Sequence, residues 1–429
     1  LLFMAAMLGT VAAQDLILLF LFWDVTAIAS YFLIGFDQFK PEARASALMA
    51  FLVTGVSSVL FIIAAAILYA DYGTFSLPAL IEQVEPGPRV TTAAALIAVA
   101  GLAKSAQVPL HFWLPRAMVA PAPVSAYLHS AAMVAAGVFL LGRMYPIIAT
   151  SQALLDALLV IGLISMAVGG VLALSADVLK QVLAYSTIAQ YGYVVTMFGL
   201  GGEAGVVGAS FYVIAHGLIK SALFLTAGAV TEVTGQDRLS RVGGLLPKLP
   251  LLGVASGACA AGLAALPLTI GFFKDELFFE AALARGPAFA ALAVAGAALT
   301  VAYMWHFWAG IFLGPERCAV EPAPPLLTWP VIGLGVLVVI GGIVPEPVAT
   351  LAERAAAAGL LPEPAPDPVS LGYHLDTRPA NLLALATYAL GTAVIATRRW
   401  WSNGAAWAAN LGAQFGPERV YTGGLTGLN

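Results

Sequence analysis

Charge is what this sequence has least of. Asp, Glu, Lys and Arg make up 10% of its 429 residues, where a soluble domain carries about a quarter. So little charge over this length excludes a soluble fold. The apolar share is correspondingly high, at 61%. The net charge is only −4, which offers no basic face to a nucleic acid. Cysteine is nearly absent. Cys259 and Cys318 stand far apart without metal-type spacing and read as packing residues. No secretory leader is visible. Nothing resembles a nucleotide, flavin, haem or iron–sulfur motif, so no cofactor, no metal and no redox centre is expected. The sequence opens inside an apolar run, LLFMAAMLGT, and closes on VYTGGLTGLN; it reads as a fragment cut at both ends.

What the sequence does have is long apolar runs. A helix needs about 20 apolar residues to cross the hydrocarbon core, and these runs lack the alternation of barrel strands. Spans are expected at 1–13, 15–36, 46–70, 90–114, 121–144, 152–174, 177–200, 204–232, 249–285 (long and broken), 287–313, 326–345 and 380–398. The fold class is therefore an all-α integral membrane protein with about 12 transmembrane helices. Longer loops fall at 71–89, 233–248 and the Pro-rich 346–379. Lys40, Arg44, Arg116, Arg238, Arg241, Lys248, Arg317, Arg398, Arg399 and Arg419 mark one side; Arg89, Arg143, Arg285, Arg354 and Arg378 mark the other. The richer side is expected to be cytoplasmic.

The placement of lysine carries the functional signal. Of the 6 lysines, Lys104, Lys180, Lys220 and Lys274 fall inside or at the edge of spans, and no Arg sits in mid-span. A lysine at a helix centre costs about 2.5–3.5 kcal/mol on insertion scales. Snorkelling would relieve Lys180 and Lys274 near span ends, but hardly Lys104 or Lys220. A desolvated lysine can release its proton, whereas Arg keeps its own. Choosing only the cation that can switch points to proton movement. His216 and Lys220 are four residues apart, on one helix face. His129 opens the span after the first broken one. Asp24 is the main acid inside a span and the expected partner of Lys104. Ser186 and Gln190 lie one turn apart, placed to hold water.

Blander readings stand beside these. His306 and His374 read as hydrogen-bonded packing residues, and His111 lies beside a break. Asp15 and Asp177 read as span-end residues. Asp275 and Glu276 read equally as water-facing groups at a helix end. Trp23, Trp113 and Trp400 read as interfacial anchors. Pro109 and Pro267 each interrupt a span that also holds a lysine, and paired broken spans mark transport sites. Non-helical residues are expected near Ala106–Leu110 and near Pro267.

These stretches resemble a known family. GLAKSAQVPLHFWLPRAMVAPAPVSAYLHSAAMVAAGVFLLGRM, DVLKQVLAYSTIAQYGY, AHGLIKSALFLTAGAV and GLAALPLTIGFFKDELFF are similar to the antiporter-like membrane subunits of respiratory complex I, membrane-bound hydrogenases and Mrp-type cation/proton antiporters. The resemblance runs to about residue 345 and is strongest to the Mrp A subunit. It implies two inverted five-helix repeats, each with a broken helix, and a mid-membrane line of Lys, His and acidic residues. The first, truncated repeat would be 1–144, the second 152–313, with further transmembrane helices and a cytoplasmic tail in 326–429. Asp24 stands where the family has Glu. Lys104 matches the broken-helix lysine, Lys220 the central lysine of the second half, and Lys274 the lysine at the second break. Ala135 replaces a lysine usual in A subunits. Tyr212 stands where the large complex I subunit has a second His. The expected proton pathway is Asp24, Lys104 and His129 in the first half, and Lys180, His216, Lys220 and Lys274 in the second. The expected function is an ion-translocating subunit of a sodium/proton antiporter in a bacterial inner membrane, with other membrane subunits, protons, a monovalent cation and the lipid bilayer as partners. The alternative is a proton-pumping subunit of an NADH-quinone oxidoreductase or membrane-bound hydrogenase.

Overall fold

The computed structural model describes residues 1–357, 371–374, 376–419 and 423. Residues 358–370 and 375 of the expected loop 346–379, and the end of the chain, lie outside the described residues. The described chain is nearly all helix; its only β-pairing is two isolated bridges, Asp15 with Ser76 and Val178 with Arg238. In chain order the helices are α1 (Leu2–Ala12), α2 (Leu16–Ile34), α3 (Pro41–Tyr72), α4 (Leu77–Gln83), α5 (Pro88–Lys104), α6 (Trp113–Arg116), α7 (Ala122–Ser130), α8 (Met133–Arg143), α9 (Tyr145–Ile148) and α10 (Gln152–Ser175). There follow α11 (Leu179–Leu200), α12 (Gly202–Thr234), α13 (Pro250–Leu263), α14 (Gly271–Arg285), α15 (Pro287–Phe312), α16 (Pro325–Ile343), α17 (Glu346–Ala357), α18 (Pro379–Ala396) and α19 (Arg398–Phe415).

This is a multi-pass membrane protein. Among the described residues, 8 helical segments are long and apolar enough to span, with α1 and α13 as shorter apolar helices. Twelve spans are therefore not established by length and composition. The distribution of side chains is that of a bundle in lipid. Large apolar residues such as Leu21, Val254 and Leu292 face outward, while Lys104, Lys220, Lys274, His129 and His216 are 0% exposed. Lipid offers nothing to a polar group, so such groups turn inward to partners in the bundle.

Both expected breaks are present. The helix α5 stops at Lys104, and Ala106 takes a left-handed φ of 52°. Pro109 cannot donate a helical hydrogen bond. The freed carbonyls find other donors: Trp113 Nε1 bonds Ala103 O at 3.1 Å and Gln107 Nε2 bonds Ser105 O at 2.9 Å. The Val108 amide donates to Ser165 Oγ at 3.0 Å. The second break, between α13 and α14, carries positive φ at Ala265 and Leu268. There the Tyr388 hydroxyl bonds Ala265 O at 2.5 Å, and the Leu268 amide bonds the Tyr373 hydroxyl at 2.8 Å. A side chain at Gly271 would meet Gly262 O at 1.7 Å, so only glycine lets the two half-helices approach so closely.

A third break departs from the sequence expectation. The span read as 121–144 divides into α7 and α8 at Ala131 and Ala132. The Ser130 carbonyl accepts bonds from the Tyr191 hydroxyl and from His216 Nδ1, both at 3.0 Å. Tertiary donors thus occupy an oxygen that an unbroken helix would use internally.

Two further expectations are corrected. Trp23 and Trp113 are not interfacial anchors: both are 0% exposed, one lying over Lys104 and the other bonding the first break. Trp400 is 75% exposed, as an anchor would be. The expected loop 346–379 contains α17; the segment after 398, read as tail, carries α19.

Among the described residues, no acid pairs with basic residues of both groups. Arg116 pairs with Glu418, Arg238 with Asp177 and Lys248 with Glu316 at one end. Arg89 pairs with Asp71 and Arg285 with Asp156 at the other. Asp177, between α10 and α11, does more than end a span. Its oxygens accept from the Ser240 amide at 2.8 Å and the Ser240 hydroxyl at 2.7 Å. Burial pushes its carboxyl up, but the Ser240 bonds and the Arg238 charge outweigh that and hold it below the usual range. A depressed carboxyl stabilises above its unfolded pKa and loses that contribution as pH falls through the folded value. Protection of the Ser240 amide, measured against the intrinsic exchange rate at the same pH, should therefore fall as the pH drops below about 4 and stay level between about pH 6 and 8. Hydrogen-exchange mass spectrometry checks it; an unchanged protection factor at acid pH contradicts it.

Candidate functional site

Two buried lysines are held by the same device. Lys104 Nζ donates to Trp23 O at 2.8 Å and to Thr26 Oγ1 at 2.5 Å, and lies 3.9 Å from the Trp23 ring centroid. Lys220 Nζ donates to Leu183 O at 2.9 Å and to Ser186 Oγ. In each case the neighbouring helix offers a carbonyl and, three residues on, a hydroxyl. Positions i and i+3 share a helix face, so one ammonium reaches both. The paired hydroxyl bonds back to that same carbonyl, Thr26 at 2.6 Å and Ser186 at 2.9 Å. Both clamps are electrically neutral.

The expected ion pair between Asp24 and Lys104 is not formed. Asp24 is half-buried and makes no hydrogen bond or ion pair among the described residues, although its charge reaches the ammonium. The geometry explains this. Trp23 and Thr26 present the face of α2 that meets Lys104, and Asp24 lies about 100° further round the helix. Its short side chain does not turn back.

His129 is buried with its ring 6.3 Å from both Trp113 and Phe224, and neither ring nitrogen has a partner among the described residues. Lys180 is half-buried at the start of α11 and donates to Ala120 O at 2.6 Å. The bond from His216 fixes its tautomer. A carbonyl can only accept, so Nδ1 carries the proton, and Nε2, buried without a partner, is left as an acceptor. The His216 ring packs against Tyr191 at 4.5 Å and Tyr212 at 6.0 Å.

The third buried lysine is held differently. Lys274 Nζ lies 2.7 Å from Asp275 Oδ1, with side-chain exposures of 0% and 7%. It also lies 4.3 Å from the Tyr193 ring centroid and 4.8 Å from that of Tyr212. Asp275 and Glu276 therefore do not face water, which corrects that reading. Glu276 meets Arg378 Nη1 at 3.4 Å, and Arg378 in turn meets Asp376 at 3.1 Å. Charged groups thus run from buried Lys274 towards the surface. Gln190 bonds Thr300 at 3.0 Å and also Tyr303.

Sequence reasoning misses Thr26, Asp275, Tyr193 and Tyr212. Asp275 has a signal, since it adjoins a span lysine. Thr26 has a faint one, as the hydroxyl three residues after Trp23. Tyr212 has one only in the resemblance, as the residue at a family histidine position, and Tyr193 has none, because both reach Lys274 from other helices, α11 and α12.

The clamps carry a prediction. Thr26→Val and Ser186→Ala each remove one hydroxyl acceptor but leave the carbonyl, so transport should fall about three- to tenfold without being lost. Initial exchange rates in membrane vesicles check this; unchanged rates in both variants would mean that the clamps play no part in transport.

Comparisons place the chain among known proteins. Residues 13–300 match the family described as NADH:quinone oxidoreductase/Mrp antiporter, TM. The probable A/B subunit of a K(+)/H(+) antiporter from Rhizobium meliloti is 38% identical over 284 residues, which is 66% of this chain and 28% of that protein. The A1 subunit of a Na(+)/H(+) antiporter from Staphylococcus haemolyticus is 34% identical over 445 residues, covering 94% of this chain and 54% of that one. The L subunit of the NADH-quinone oxidoreductase from Mycobacterium tuberculosis is 34% identical over 414 residues, covering 92% and 63%. Among solved structures, a chain of the Mrp complex from Dietzia sp. DQ12-45-1b superposes with a TM-score of 0.83 at 32% identity, covering 100% of this chain and 50% of that one. The chain thus spans about half the length of the Staphylococcus relative and of the Mrp chain.

Proposed function

The chain belongs to the NADH:quinone oxidoreductase/Mrp antiporter family of membrane proteins, and from that premise we propose that it is the ion-translocating part of a multi-subunit monovalent cation/proton antiporter. The observation that carries this is the pair of buried lysines in neutral clamps. Such a lysine can lose its proton without stranding a buried anion, which a lysine in an ion pair cannot do. The relatives named as antiporter subunits support exchange as the activity, and those named for Na(+)/H(+) exchange support sodium as the cation. Other membrane subunits complete the complex, and a bacterial plasma membrane is its setting.

The route runs in two halves. Residues 1–144 form the first repeat, in which Lys104 holds the proton, Asp24 biases it through its charge, and His129 receives it. Residues 152–313 form the second, in which Lys180 feeds Lys220. His216, with Nε2 free to accept, relays between Lys220 and the Lys274–Asp275 pair, within which the ammonium can pass its proton to the carboxylate so that neither charge is stranded. From there Glu276, held by Arg378, leads outward. Residues 326–429 supply supporting helices and a cytoplasmic segment. The family and the Mycobacterium relative support one other reading, a proton-pumping subunit of an NADH-quinone oxidoreductase.

The test is transport by the complex in everted vesicles from a host lacking its own sodium/proton antiporters. A proton gradient should dissipate when sodium is added, with no redox substrate present. Dependence on NADH and quinone, with iron–sulfur subunits in the purified complex, would replace this reading with the other.

A further inference from the structure

A cavity of about 300 Å³ lies away from the lysine line and opens where α10, α15 and α18 end and α19 begins. Its polar lining is Asp177, Ser240, His306, Arg317 and Arg398, and Trp305 stands at its side. Two of these groups are cations without a carboxylate. Neither Arg317 nor Arg398 forms an ion pair among the described residues. Arg317 makes only 3.4 Å bonds to the carbonyls of Leu239 and Val242. Arg398 has one bond, Nη1 to His306 Nδ1 at 2.9 Å. In that bond Arg must donate, so His306 accepts through Nδ1 and is not protonated there. His306 is therefore more than a packing residue: it aims the guanidinium. The one carboxylate in the lining, Asp177, is already occupied by Ser240 and Arg238.

We propose that this cavity binds the phosphate headgroup of an anionic glycerophospholipid. Two guanidinium groups facing one space are the chemistry that recognises a phosphate, because the planar fork donates in pairs. The surroundings favour a lipid over a free ion. The rest of the wall is apolar, including Leu174, Ala302 and Ile395. Trp305 is 47% exposed on the outer face of α15, where acyl chains run. The cavity lies at the end of the bundle that carries most of the Lys and Arg, the end expected at the anionic cytoplasmic leaflet. Trp401, held by a 2.8 Å bond from Nε1 to Val394 O, places the first turn of α19 over the same space. A bound headgroup would therefore tie α19 to α15. This inference is independent of which ion the protein moves.

The test uses the whole complex, purified in mild detergent. Native mass spectrometry and thermal unfolding are run with phosphatidylglycerol, with phosphatidylcholine and with inorganic phosphate. Phosphatidylglycerol should be retained and raise the unfolding midpoint, while phosphatidylcholine and inorganic phosphate do neither. An Arg317→Gln/Arg398→Gln variant should retain phosphatidylglycerol at least about tenfold more weakly. Arg399→Gln, which does not line the cavity, should retain it normally. Equal retention by the double variant, or equal stabilisation by phosphatidylcholine, overturns the site. Equal stabilisation by inorganic phosphate overturns the lipid and leaves a free-anion site. The comparison of lipids on the unmutated complex decides the matter even if the double variant does not fold.

Discussion

Lys220→Ala abolishes cation-driven proton exchange while the complex still assembles: that is the first expected result, with initial rates falling by more than about tenfold, or more than about 1.4 kcal/mol in the barrier. Assembly survives because the clamp needs no charge. Ser186 and Thr187 both donate to Leu183 O, each at 2.9 Å, so that carbonyl is not orphaned when the ammonium goes. Transport fails because the relay then lacks the proton carrier one turn from His216. Lys220→Arg should fail as well, although it keeps the charge, since Arg holds its proton. The two variants together separate a role in carrying protons from a role in holding charge. Rates are measured in vesicles after immunoblotting shows equal amounts of assembled complex. Near-normal exchange in Lys220→Arg would mean that only charge is needed.

The second large effect falls on stability rather than on rate. Asp275→Asn leaves the Lys274 ammonium buried beside a neutral amide. Removing one partner of a buried ion pair typically costs about 3–5 kcal/mol, a large share of a domain's stability. The amount of assembled complex should drop sharply, and its unfolding midpoint with it. Replacing both partners at once, Lys274→Met with Asp275→Leu, removes the stranded charge. That complex should recover most of its stability and still transport nothing. Thermal unfolding of purified complex and vesicle exchange separate these outcomes. A double variant as unstable as Asp275→Asn would mean that the pair acts through shape and not charge; one that transports would take Lys274 off the route.

The contrast between these lysines shows what sequence can and cannot reveal. That Lys104 and Lys220 lie deep in spans is readable, because a cation in the middle of an apolar run has no bland explanation; Lys274, near a span end, has one in snorkelling, and only the structure shows it buried. Two of the three helix breaks are readable too, because Pro109 and Pro267 lack the amide a helix needs. The break at Ala131 and Ala132 is not. Its residues favour helix, and the donors that capture the Ser130 carbonyl arrive from α11 and α12, far along the chain. Trp23 and Trp113 mislead for the same kind of reason. Tryptophan near a span end is usually an anchor, and only tertiary contacts, Trp23 on α2 with Lys104 and Trp113 on α6 with the Ala103 carbonyl, hold these two inward. Charge alone assigns Asp24 as the partner of Lys104, but face geometry decides it. On α2 the residues at i and i+3 meet the ammonium, and these offer a carbonyl and a hydroxyl. Asp275 passes for a helix-end acid because hydropathy does not show that α14 starts deep in the bundle.

The most direct test of the central claim is exchange by the purified complex in proteoliposomes, with Lys104 and Lys220 both replaced by Met. Methionine keeps most of the length and the apolar stem of lysine and removes the proton-binding group. The unmutated complex should acidify or alkalinise the lumen according to the direction of an imposed sodium gradient. The Lys104→Met/Lys220→Met complex should assemble, hold its subunits and leave the lumen pH unmoved. Sodium-driven proton movement in that complex at a rate within about threefold of the unmutated one would contradict the account, because protons would then cross without the two lysines.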